Sequence, residues 1–100
     1  MEEGATVTRY PVRMAVTLKP EVLDPAGQAT LAVIKERGFG MVDELRIGKL
    51  VDFSVQARDP AEALEVARRL GREFLANPVL EQFDVWMDEA QSPRTVRDGE

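Results

Sequence analysis

Two Asp-Pro pairs constrain the fold of this chain more than any other feature of its sequence. In Asp24-Pro25 and Asp59-Pro60, a residue type that caps helix N-termini precedes proline in the first helical position, where the missing N–H costs nothing. After the second pair, Glu62 occupies the third helical position and completes a capping box with aspartate in place of serine or threonine. The sequence therefore predicts two helices with well-defined starting points.

Both helices also have predicted ends and predicted apolar faces. The first runs to about Arg37, has Gly38 as its C-terminal cap and offers Leu31 and Ile34 to the core. The second ends at Asn77-Pro78, because a proline disfavours helical geometry at the residue before it. Its apolar positions recur at helical spacing and comprise Leu64, Ala67, Leu70, Gly71, Phe74 and Leu75.

Strands precede and follow the helices. The stretch "PVRMAVTL", residues 11–18, alternates apolar and polar side chains, which is typical of a half-buried strand. Residues 80–87, "LEQFDVWM", form the last predicted strand, with Phe83, Val85 and Met87 on one side and Trp86 on the other.

The middle stretch "MVDELRIGKLVDFSVQA", residues 41–57, allows two arrangements. A hairpin that turns at Gly48-Lys49 is plausible for a type II′ turn, but it leaves both sheet faces mixed. One long strand, with a bulge or a bend at Gly48, keeps the apolar side chains on one face and is interrupted only by Lys49. This arrangement is preferred, and it exceeds the usual length of about five or six residues.

The predicted fold is α+β: a small two-layer sandwich of an antiparallel sheet and two helices, in β-α-β-α-β order with a long bent central strand. The alternative is a ferredoxin-like fold with a hairpin at Gly48-Lys49. A chain of 100 residues suits a single domain, with a core at about 11–88, an extended N-terminus at 1–10 and a flexible tail at 89–100.

The charge and composition of the chain argue against several classes of partner and location. The net charge of -5 argues against a nucleic-acid partner and against attraction to an anionic membrane. No apolar run is long enough to span a bilayer, and the acidic start "MEEGATVTRY" does not suit a signal peptide. We therefore expect a cytoplasmic protein that binds neither nucleic acid nor membrane.

Catalytic residue types are scarce. The chain contains no histidine and no cysteine, which removes the commonest bases, nucleophiles and transition-metal ligands. Ser54 and Ser92 lie outside any nucleophile elbow. The glycines of "GFGMVD" complete neither a P-loop nor a dinucleotide-binding motif. We expect no catalytic residue, metal site or bound cofactor in this chain.

Contact with other subunits is better supported. The long strand is more than a small domain can cover, so part of it is expected to pair or pack with another subunit. Trp86 points away from the core face and suits an interface anchor. The candidate interface residues are Lys19, Arg46, Gly48, Lys49 and Trp86.

Three segments resemble the PurS family, the small subunit of phosphoribosylformylglycinamidine (FGAM) synthase. They are "VTLKPEVLDPAGQA", "ELRIGKLVDFSV" and "DPAEALEVARRLGREFLANPVLEQFDV", in that order. The resemblance implies a noncatalytic, self-associating subunit (a dimer or tetramer) that joins a PurQ-type glutaminase to a PurL-type synthetase in purine biosynthesis and supports ammonia transfer. It also implies that the complex, an ATP-dependent ligase, uses ATP, Mg and glutamine, none of them bound by this subunit.

A second function stays open at this stage. A regulatory module of ACT-like, ferredoxin-like type would bind a small effector at a subunit boundary. Lys19, Arg46 and Lys49 would then recognise an anionic group on that effector.

Overall fold

The computed structural model describes residues 7–88, which form three strands and two helices. In chain order the elements are β1 (Thr8–Leu18), α1 (Pro25–Glu36), β2 (Lys49–Ala57), α2 (Pro60–Leu70), a π-helical turn (Gly71–Leu75) and β3 (Glu81–Met87). The sheet is antiparallel throughout, in the order β2-β1-β3. The predicted α+β class and β-α-β-α-β order are confirmed.

Strand β1 lies at the centre of the sheet. It pairs with β2 from Thr8↔Ala57 to Val16↔Lys49, and with β3 from Val12↔Met87 to Leu18↔Glu81. It therefore begins before residue 11 and takes in three residues that the prediction left in the N-terminal extension, because they pair with β2. The predicted C-terminal tail, residues 89–100, lies outside the described residues.

The core lies on one face of this sheet, against α2. Val12, Met14 and Val16 alternate along β1 and are almost completely buried, as their spacing predicts. Helix α2 contributes the small buried side chains Ala63 and Ala67, which let its backbone approach the strands closely.

The stretch predicted as one long strand is divided in the structure. Strand β2 starts at Lys49, and residues 42–48 have no strand partner within the described part of the chain. The prediction is wrong for these seven residues because the N–H of Ile47 donates to the Asp24 carboxylate instead of to β1. The alternative hairpin is also wrong, since Lys49 pairs with Val16 of β1.

Both Asp-Pro pairs cap helices as predicted. The Gly27 N–H donates to Asp24 Oδ1 at 3.0 Å, and the Glu62 N–H donates to Asp59 Oδ1 at 2.8 Å. Helix α1 ends one residue before Arg37. Gly38 follows with a φ of 103°, a conformation that favours glycine over any residue with a Cβ.

Helix α1 does not cover the sheet, which corrects the expectation that both helices pack on it. Its only buried residue is Gly27, at the N-terminal end. Leu31 and Ile34, predicted as core residues, are half-buried, and Val33 remains 48% exposed. The layer against the sheet comes from α2 and the π-helical turn, so α1 leaves an apolar surface open.

Candidate functional site

The Asp24 carboxylate joins the start of α1 to residues 42–48. One of its oxygens accepts from the Gly27 N–H at 3.0 Å, and the other accepts from the Ile47 N–H at 2.9 Å. Asp24 is the one buried polar or charged side chain of the described residues. The Ile47 and Gly27 donors, with the Arg46 charge, hold the pKa of Asp24 below its ordinary value despite opposition from desolvation.

Arg46 closes the loop that follows β1. Its Nη2 donates to the carbonyl oxygens of Leu18 at 3.1 Å, Lys19 at 2.9 Å and, more weakly, Val22 at 3.4 Å. The same loop is tied to β3, because the Lys19 N–H donates to the Leu80 carbonyl at 2.8 Å. Arg46 and Lys19, two predicted interface residues, are thus brought together. We refer to Asp24, Arg46 and the backbone groups that they bind as the junction.

Gly48 and Lys49 lie beside the junction, where β2 begins. A Cβ on Gly48 would overlap the Val16 carbonyl oxygen and would come within 2.7 Å of the Thr17 Cγ2. The glycine therefore permits a close approach of two backbones just before β2 begins, instead of forming a bulge or bend inside one long strand. Lys49 is exposed opposite Val16 at the sheet edge, the kind of position where a lysine discourages uncontrolled strand pairing.

Trp86 is remote from the other four candidate interface residues, Lys19, Arg46, Gly48 and Lys49. It lies on β3 opposite Arg13 of β1, on the sheet face that α2 does not cover, and is 42% exposed. Next to it Arg13 donates two hydrogen bonds to Asp52, at 2.7 and 2.9 Å. Those hydrogen bonds lower the pKa of Asp52 and keep the pair charged. The candidate interface residues therefore divide between two surfaces, and their roles in contact remain predictions.

A cleft of about 500 Å³ opens beside the junction, between the end of β1, α1 and residues 43–46. Acidic side chains dominate its charged lining: Asp24, Asp43 and Glu44, against Arg46 alone. An anionic effector would meet net negative charge there. The cleft therefore does not favour the regulatory alternative, which needed Lys19, Arg46 and Lys49 around one anion.

Large exposed apolar side chains are the most prominent surface feature. Helix α1 and its flanks contribute Leu23, Val33, Phe39, Met41 and Ile47; the strands contribute Leu50 and Trp86; the end of the second helical stretch contributes Phe74, Val79 and Leu80. Scattered single residues of this kind are normal in monomers, whereas contiguous apolar patches mark interaction sites.

The sequence prediction missed Phe74. Its spacing placed it on the buried face of the second helix, yet it is 75% exposed. The cause is the π-helical turn Gly71–Leu75, in which the Ala76 N–H donates to the Gly71 carbonyl and widens the helix by one residue. The sequence feature that could have indicated this turn is Gly71. A Cβ at this position would lie 2.6 Å from the Phe83 Cζ, so only glycine fits beside the ring.

Other kinds of site have little support. Among residues 7–88, no group of three or more acidic side chains is placed to hold a metal ion. None of the helices described is both long and apolar enough to cross a membrane.

These observations define a class of protein: a small α+β domain whose polar contacts order its own backbone and which exposes several large apolar side chains. A family model, described as phosphoribosylformylglycinamidine (FGAM) synthase, PurS, matches residues 11–89. The chain belongs to the PurS family.

Individual relatives agree with this assignment. The PurS subunit of the FGAM synthase of Synechocystis is 38% identical over 74 residues, 74% of each chain. The crystal structure of the PurS subunit from Thermotoga maritima superposes with a TM-score of 0.76 at 27% identity, covering 86% of this chain and 99% of that one. The structure of PurLQS from the same organism contains a chain with a TM-score of 0.74 at 29% identity, covering 80% of this chain and 98% of that one.

Proposed function

We propose that this protein is the noncatalytic assembly subunit of an FGAM synthase, acting in de novo purine biosynthesis. It joins a PurQ-type glutaminase to a PurL-type synthetase, associates with further copies of itself and supports the transfer of ammonia between the two active sites. The observation that carries the proposal is the match to PurS over residues 11–89, together with the similarity to a chain of PurLQS.

The physical properties of the chain support a role in assembly. Without histidine and cysteine, this subunit lacks the usual groups for hydrolysing glutamine. ATP, Mg and glutamine would therefore be bound by the other two subunits. The exposed apolar side chains on α1, on β3 and after the π-helical turn provide several separate surfaces, as a subunit with more than one partner requires. We place the complex in the cytoplasm.

Reconstitution tests the proposal. Purified synthetase and glutaminase subunits are assayed for FGAM formation with glutamine or with ammonium chloride as nitrogen source, with and without this chain. We expect the chain to restore glutamine-dependent synthesis and to affect ammonia-dependent synthesis less. Full glutamine-dependent activity of the two partners alone would refute an assembly role. A thermal shift with an amino acid or nucleotide, without such complementation, would favour a regulatory module instead.

A further inference from the structure

We propose that the loop between the π-helical turn and β3 docks into a different protein, one that offers an apolar pocket with acidic side chains at its rim. The contact residues are Phe74, Val79 and Leu80, which we call the loop patch, together with Arg72. This inference rests on the assembly role proposed above and adds one surface that serves it. Its starting point is the exposure of Phe74 and Val79, at 75% and 74%.

The π-helical turn directs Phe74 away from the core. The turn is closed by the Ala76 N–H, which donates to the Gly71 carbonyl at 3.0 Å. Both of these residues are buried, and Gly71 lies against the Phe83 ring. The core therefore holds the turn from inside, and Phe74 takes no part in that packing. Turns of this kind are frequent at functional sites.

Asn77 orders the rest of the loop. Its Oδ1 accepts from the Val79 N–H at 3.0 Å, and its carbonyl accepts from the N–H groups of Leu80 at 3.1 Å and Glu81 at 2.7 Å. The Asn77 N–H donates to the Glu81 carboxylate at 2.7 Å. Pro78 has no N–H, so every backbone donor from residue 77 to residue 81 is hydrogen-bonded. The loop is therefore ordered without help from its apolar side chains.

The loop is also tied to the central strand of the sheet. The Lys19 N–H, just after β1, donates to the Leu80 carbonyl at 2.8 Å. A partner that binds the loop patch would meet a surface that is already ordered, which reduces the entropy cost of association. Exposed aromatic side chains on such a surface suit the anchors that enter a partner's pocket.

The charge next to the loop patch is positive. The acidic side chains nearby are engaged, since Glu73 pairs with Arg69 at 3.5 Å and Glu81 binds the Asn77 N–H. Arg72 is exposed and, within residues 7–88, forms neither an ion pair nor a hydrogen bond. A guanidinium beside exposed apolar side chains is complementary to a carboxylate at the rim of an apolar pocket.

A second copy of this chain suits the loop patch less well. A two-fold contact through it would bring Arg72 of one copy towards Arg72 of the other, and like charges repel. A head-to-tail contact, with the loop patch in the acidic cleft of the next copy, would form a ring or an open filament. The assembly role requires a contact between different subunits instead.

Titration calorimetry with purified subunits tests this surface. The full chain, unchanged or with Phe74→Ala, Val79→Ala or Arg72→Glu, is titrated with the synthetase, with the glutaminase and with a mixture of both. We expect Phe74→Ala to raise the Kd for the subunit that carries the pocket about 10- to 100-fold. Arg72→Glu should also weaken binding and make it less sensitive to salt.

Val66→Ala is the matched control for Val79→Ala. Val66 lies on α2 and is also exposed, but it is outside the loop patch. We expect this control to leave the Kd within about twofold of that of the unchanged chain, whereas Val79→Ala should raise it more. Circular dichroism and urea midpoints should remain close to those of the unchanged chain, because all four positions are exposed.

Each result decides between defined alternatives. Equal Kd values for Phe74→Ala, Val79→Ala and the unchanged chain would refute the loop patch and leave the assembly role standing. An unchanged chain that neither binds these subunits nor restores glutamine-dependent synthesis would refute the assembly role and this inference with it. A lower mass of the Phe74→Ala chain alone on light scattering would assign the loop patch to self-association and overturn the proposal. If Phe74→Ala misfolds, Arg72→Glu decides, and an unaltered Kd at low salt would refute the contact.

Discussion

Replacing Gly48 by alanine should destabilise the fold of the chain itself. The added Cβ would overlap the Val16 carbonyl oxygen and press on the Thr17 methyl at 2.7 Å, whereas carbon atoms in contact normally lie about 3.5–4.0 Å apart. The Thr17 side chain is able to rotate away. The Val16 carbonyl is not, since Val16 belongs to the central strand and pairs with Lys49 on one side and Phe83 on the other.

The expected loss follows from these contacts. Overpacking of this kind costs about 1–3 kcal/mol, and weakening one ladder hydrogen bond adds about 1 kcal/mol. Alanine also restricts the unfolded chain, which returns about 0.4–1 kcal/mol. The net prediction for Gly48→Ala is therefore a loss of about 1–3.5 kcal/mol in the free energy of unfolding.

Equilibrium unfolding in urea measures this loss, followed by the fluorescence of the single tryptophan and by circular dichroism. The matched control is Gly40→Ala, because a Cβ at Gly40 meets nothing within 4 Å and its φ is not positive. Both variants are measured at one protein concentration, since unfolding of a self-associating chain depends on concentration. A Gly48→Ala midpoint equal to that of Gly40→Ala, with an unchanged m-value, would refute the close approach of the two backbones.

Three further changes test other parts of the structure. Met14→Ala, at a fully buried position, should cost about 2–5 kcal/mol in urea unfolding; a loss below about 1 kcal/mol would contradict its place in the core. Asp24→Asn should remove a stabilisation that is present above about pH 4, the ordinary pKa, and that is lost as the pH falls through the lowered pKa of Asp24. Urea midpoints that fall less steeply with pH in this range, and faster exchange of the Ile47 amide, would show this loss. Urea midpoints with the same pH dependence as those of the unchanged chain would contradict it. Trp86→Ala should fold yet lower glutamine-dependent activity in the reconstituted complex, unlike the exposed control Gln56→Ala; equal activities would contradict a contact role.

Local rules explain the parts of the fold that the sequence predicts well. Each Asp-Pro pair caps a helix through contacts within three residues, so no distant partner is needed to place it. The alternation of Val12, Met14 and Val16 similarly reflects a strand with one buried face. These features depend on chemistry that lies within a few residues of the chain.

The misplaced features depend on distant contacts. Asp24 meets the cap requirement of α1 with one oxygen, and only the fold reveals that its second oxygen holds Ile47, 23 residues away. Phe74 keeps a regular helical spacing in the sequence, but the π-helical turn beside Phe83 moves it to the surface. Two of the candidate interface residues likewise depend on a distant contact. Arg46 donates a hydrogen bond from its guanidinium to the Lys19 carbonyl, and no pattern of side chains in the sequence predicts that contact.

The junction explains how one small subunit can be ordered and still leave apolar surface uncovered. Asp24 and Arg46 fix the direction of α1 and residues 42–48 through backbone contacts alone, so the nearby apolar side chains are not needed for internal packing. If this region were held only by its partner, binding would have to supply the entropy cost of ordering it. In the assembly role proposed above, ordering by the junction would leave more of the contact energy available for association. Substitutions in the junction should therefore weaken assembly even where they touch no partner, whereas substitutions of exposed apolar side chains should weaken assembly and leave the fold intact.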